Sequence, residues 1–148
     1  GTLYGYFDSK EDILKEVLRQ ARDEALEAYF SAIDASTPAI ERVCKALESM
    51  ALYLRSNRTI LLAVFQVAAR NKAIDEEQAE WLYEAFGDLL RMGMESGEFR
   101  ALPLDSTIRM LISTYMMAFV GLGIWQGRED DPELVAELDA LVRALLAP

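Results

Sequence analysis

Apolar residues recur at helical spacing along almost the whole chain. Ile13, Leu14, Val17, Leu18, Ala21, Ala25, Ala28 and Tyr29 fall on one stripe, opposite Lys15, Glu16, Arg19, Asp23, Glu24 and Glu27. This predicts an amphipathic helix from about Lys10 to Ile33, with Ser9 as N-cap and Asp12 three residues on in capping-box spacing. At about 1.5 Å per residue it would span about 35 Å. A second helix follows, with Thr37 as N-cap, Pro38 in the first helical position, and Ile40, Val43, Cys44, Leu47, Met50, Ala51 and Leu54 on the buried face. Thr59 to Arg70 is apolar nearly all round and reads as a helix buried on several sides, ended by Asn71-Lys72. Its Ile, Val and Phe content suits a strand as well, but no second strand-like run exists to pair with it. Asp75, with Gln78 three residues on, opens a fourth helix that buries Ala79, Leu82, Phe86, Leu89 and Leu90; Gly97 is its C-terminal cap and Pro103 separates the next element.

The last two helices differ in kind. Asp105 caps a helix in which Met110 to Trp125 carries no charge. That run is shorter than the roughly twenty residues a bilayer needs, and Ser113, Thr114 and Tyr115 interrupt it, so no membrane span is expected. Asp131-Pro132 starts the final helix, which turns Leu134, Val135, Leu138, Leu141, Val142, Leu145 and Leu146 to one broad side. Gly121 and Gly123 each weaken a solitary helix by about 1 kcal/mol and make sense where a second backbone approaches. Surplus apolar surface on two consecutive helices predicts a two-fold dimer through a four-helix bundle, with Gly121, Gly123, Trp125, Leu134, Leu138, Leu141 and Leu145 at the interface.

Composition narrows the function. The chain has 148 residues, 52% of them hydrophobic, enough for one well-filled domain. Fifteen basic residues stand against 25 acidic ones, a net charge of −10. That is the wrong sign for a domain whose bulk grips phosphate, so any DNA contact must be local to one end. Cys44 is the single cysteine, which rules out an internal disulfide and fits a reducing, cytoplasmic setting; no signal peptide is legible. Without histidine the usual triads and zinc sites are unavailable, and no enzyme, metal site or cofactor is expected. An enzyme built on carboxylates in a helical pocket remains conceivable but has no motif behind it. The acidic runs Glu76-Glu77-Glu80 and Glu129-Asp130-Asp131-Glu133 sit at helix starts, where they complement the helix dipole rather than form cation sites.

The opening segment carries the one specific motif. Tyr4, Tyr6 and Phe7 crowd into a short stretch that ends at Asp8-Ser9, just before the first long helix. Gly1 to Leu14 resembles, nearly position for position, the end of the helix-turn-helix domain of TetR-family repressors. There the recognition helix closes with a motif like G-T-L-Y-x-Y-F, and x-S-K-x-x-L starts the connecting helix. The resemblance implies an all-α, TetR-like helical bundle in which residues 1–8 are the remnant of a recognition helix. Residues 9–148 would be a ligand-binding and dimerisation domain, with 9–34 the connecting helix. It also implies that Thr2, Tyr4 and Tyr6 touch DNA, mostly its phosphates, and that Lys10 contacts a phosphate. Leu3 and Phe7 are expected only to pack. The earlier helices that seat a recognition helix in the major groove are absent from this sequence, so the chain as it stands reads as part of a longer protein and is not expected to bind DNA specifically.

The resemblance further implies a small effector in the helical core, homodimerisation, and operator DNA as partner of the intact protein. Met50, Tyr53, Phe65, Gln66, Arg70, Trp81, Phe86, Met94, Tyr115, Met116 and Phe119 are the candidate pocket residues, and their composition suits a largely hydrophobic effector. The leading expectation is a ligand-responsive repressor whose effector changes the spacing of two DNA-reading heads. The alternative is a helical bundle that binds a small molecule or partner helix without DNA.

Overall fold

The computed structural model describes residues 10–59, 72–128 and 130–148, apart from the side chains of 11, 54, 72–75, 77–79, 81 and 82. Within them the chain forms helices α1 (Lys10–Ser31), α2 (Ala39–Ser56), α3 (Lys72–Ser96), α4 (Leu104–Ala118) and α5 (Pro132–Leu146). No strand occurs among the described residues. The Thr59 to Arg70 run, helix or strand, lies almost wholly outside them.

α1 ends at Ser31, two residues before the expected Ile33, where the Ser31 hydroxyl turns back to donate to the Glu27 carbonyl. The following loop is organised by Asp34. Its Oδ1 accepts from the backbone N–H and the hydroxyl of Ser36, at 2.8 and 2.6 Å, and these bonds hold its carboxyl below the usual carboxylate range. The Thr37 hydroxyl is drawn into the same network, accepting from the Asp34 N–H at 2.9 Å. It is therefore not free to cap α2, which begins at Ala39 with Pro38 in the capping position. Arg42 adds the clamp that the loop needs, donating to the carbonyls of Thr37 and Asp34.

Two other helix starts also differ from expectation. α3 is already helical at Lys72, so Asp75 lies inside it rather than ahead of it. α4 starts at Leu104 with Pro103 as its cap residue, and the Thr107 hydroxyl donates to the Pro103 carbonyl at 2.6 Å. Asp105 sits in the first turn, where its charge still favours the helix dipole. By contrast, Asp131 caps α5 as expected, accepting from the Glu133 N–H at 2.9 Å with Pro132 next to it. Gly97 ends α3 with φ of 78°, a backbone setting that glycine adopts without strain.

α4 does not simply stop. It passes into a π-helical segment, Phe119–Trp125, which the Arg128 N–H extends by donating to the Gly123 carbonyl, five residues back. A uniformly apolar run gives no phase from which to read this widening. Together Leu104–Trp125 is 22 residues long and apolar enough to cross a membrane by length and composition alone. Length therefore does not decide the matter. Half of its most apolar window is buried inside the chain.

Packing follows from these faces. α1 lies on α2, α2 on α3, α3 on α4, while α5 packs against α2, α4 and the π segment. One core cluster joins Val43, Leu47, Phe86, Leu90, Ile108, Leu111, Tyr115, Leu134, Val142 and Leu146. Leu18, with Leu14 and Val17, forms a separate small cluster on α1.

Candidate functional site

The structure gathers most of the expected pocket residues into the main core. Phe86 on α3, Tyr115 and Met116 on α4, and Phe119 at the start of the π segment are buried; Met50, Tyr53 and Met94 pack on them half-buried. The Trp81 backbone belongs to α3, but its side chain lies outside the described residues, as do Phe65, Gln66 and Arg70. A shallow, open dimple of about 170 Å³ beside Leu90, Met94, Phe99 and Leu102 has no interior room for a water molecule.

A polar cluster that sequence reasoning missed lies where α2, α4 and α5 meet. The Tyr115 hydroxyl and Asp139 Oδ1 are buried, and neither has a hydrogen-bond partner among the described residues. Asp139 is pushed up to about 7, first by burial and then by the neighbouring Glu48 carboxyl, which Arg143 and Lys45 offset only partly. Burial likewise pushes the Tyr115 phenol up, with Asp139 and Glu48 adding to it. Cys44 is buried beside them and its thiol is pushed up to about 12, chiefly by burial, so it is an inert core residue. At the rim Lys45 pairs with Glu48 at 2.7 Å and Arg143 with Glu41 at 2.6 Å. The signal available in sequence was Asp139 on the flank of an apolar stripe, one residue after Leu138.

The expected interface residues divide. Leu134 and Leu138 face the chain's own core, and Gly123 is buried too; each is covered by the chain itself rather than left open for a partner. Sequence counts apolar surface but does not say what covers it. Gly121 and Leu145 are half-buried, and a β-carbon at Gly121 would meet nothing within 4 Å. Trp125 and Leu141 are open, 68% and 62% exposed, and they are joined by two residues not foreseen, Met110 at 59% and Met117 at 60%. On α4 the exposed positions Met110, Ser113, Thr114 and Met117 repeat at helical spacing without a charge. On α5 Ala140 and Ala144 flank Leu141.

The motif residues Thr2, Tyr4 and Tyr6 lie outside the described residues. Lys10 is the first residue of α1 and is exposed there. No group of three or more metal-ligating side chains occurs among the described residues.

Neither family models nor curated proteins match the sequence. In three dimensions the chain is similar to the crystal structure of a "putative tetR family transcription regulator" from Shewanella sp. PV-4, with a TM-score of 0.74 at 18% identity. The superposition covers 100% of this chain and 80% of that one. The chain has that fold: an all-α, TetR-like helical bundle.

Proposed function

We propose that the chain is the regulatory part of a dimeric, ligand-responsive transcriptional regulator of TetR type. The observation that carries this reading is the likeness of fold over the whole chain to the "putative tetR family transcription regulator", and the Gly1 to Leu14 motif agrees with it. The uncharged outer stripe of α4 and the Leu141 face of α5 supply the association surface, because large apolar groups left open in a row are more stable covered. The effector enters the core around Tyr53, Phe86, Met94, Tyr115 and Phe119, and α1 carries the result toward Lys10 and the DNA-reading end.

In this scheme the effector favours one placement of α1, and the coupling to DNA affinity is on the order of 1–3 kcal/mol. The test uses the protein carrying a complete helix-turn-helix, with operator binding measured with and without a compound that raises the melting temperature of the core. Specific binding that the compound changes about 5- to 150-fold is expected. Absence of specific DNA binding would sink the proposal.

A further inference from the structure

The seam between α2 and α5 is apolar at its centre and ionisable along one flank. Val43 and Leu47 of α2 share the core with Leu134, Leu138 and Val142 of α5. Beside them Asp139 turns an oxygen into the interior, where no donor among the described residues meets it. The cations nearby are already engaged, Lys45 by Glu48 and Arg143 by Glu41. Among the described residues, the charged or titratable groups that act on Asp139 are Lys45 and Glu48 on α2 and Arg143 on α5 itself, with Cys44 of α2 and Tyr115 of α4 buried beside it. The π segment has no titratable side chain.

An ionised oxygen buried without a donor is costly, and a second carboxylate beside it raises the cost. A neutral acid in the same place both avoids that cost and supplies a donor. We propose that a single proton, held on Asp139 and donated to Glu48, latches α5 to α2 and is lost as the medium turns alkaline. The upward push on Asp139 supports this, with burial the first cause and Glu48 the second. Because the folded chain holds the proton more tightly than the unfolded one, the latch contributes fully below the ordinary carboxylate range, near pH 4. Its contribution falls as pH rises to about 7 and is constant beyond.

The direct test is a ¹³C side-chain carboxyl titration of the wild-type chain. A midpoint for Asp139 above about pH 5.5 is expected; a lower one overturns the latch. Thermal melts at about pH 5 and pH 8 supply the second readout. The wild type should lose several degrees between them. Asp139→Asn should lose much less and melt above the wild type at the higher pH. The exposed Glu84→Gln controls for the general acidity of the chain and should keep the wild-type drop. An equal drop in wild type and Asp139→Asn refutes the proposal. Should Asp139→Asn not fold, Glu48→Gln serves instead: it should lower the Asp139 midpoint, and an unchanged midpoint overturns the pairing.

Discussion

Replacing Gly93 by alanine tests whether the core is packed as described. In an exposed helix interior that change stabilises by about 1 kcal/mol, because glycine is the poorer helix former. Gly93 is instead buried in α3, under the ring of Phe99. A β-carbon there would stand 2.7 Å from Cγ of that ring and overlap its edge carbons. The ring is poorly placed to yield. Phe99 belongs to the main core, and its own N–H donates to the Gly93 carbonyl at 2.9 Å. The left-handed Gly97, at φ of 78°, fixes the turn between them. The added methyl must therefore push helix and ring apart, an overpacking cost of about 1–3 kcal/mol. With so deep an overlap the upper half of that range applies. Subtracting the propensity gain leaves a net loss of about 1–2 kcal/mol. Urea denaturation reads it as a lower midpoint at unchanged slope. A variant as stable as the wild type, or more so, refutes the packing of Phe99 on Gly93. Phe99→Leu in the same background should recover part of the loss, with a coupling of about 0.5 kcal/mol or more.

Other expectations follow from neighbouring features. Leu134→Ala should cost about 2–5 kcal/mol, since the side chain is 0% exposed, while Leu141→Ala on the same helix should cost the single chain under about 0.5 kcal/mol; equal costs would mean that α5 is turned wrongly. Leu141→Glu should abolish dimer formation in sedimentation without changing helix content, and an unaffected dimer would move the association surface elsewhere. Cys44 should resist a thiol reagent at pH 8 until the chain unfolds, because it is buried and its thiol is pushed up to about 12; prompt labelling of the native chain contradicts this.

What was legible in the sequence is what local chemistry decides. Asp131-Pro132 announces α5 because the carboxylate keeps one oxygen for the Glu133 N–H while Arg128 takes the other. Thr37 misleads because Asp34, three residues before it, claims its hydroxyl first, and only the folded loop shows that. Periodicity recovers the α2 stripe through Val43, Cys44, Leu47 and Ala51 because polar residues alternate with it and fix its phase. The run into Trp125 has no such contrast, so its passage from α to π geometry left no trace. Of the candidate pocket residues recognised by type, Met50, Tyr53, Phe86, Met94, Tyr115, Met116 and Phe119 pack into one core, yet type says nothing of how much space remains between them. Asp139 was passed over because its meaning lies in Glu48 and Tyr115, residues from other helices.

The end of α5 is finished by a residue that precedes it by a whole helix. Arg100, in the turn before α4, donates its backbone N–H to the Leu146 carbonyl at 3.1 Å and its Nε to the Leu145 carbonyl at 2.9 Å. On a chain emerging from the ribosome, that guanidinium has nothing to cap until α5 has been synthesised. The bond spans 45 residues, so closing it is a non-local step that must follow the local helices. The contact makes the C-terminal end of α5 a report on assembly. Its amides should gain protection from hydrogen exchange only when the turn at Arg100 has found them, after the interior of each helix is already protected.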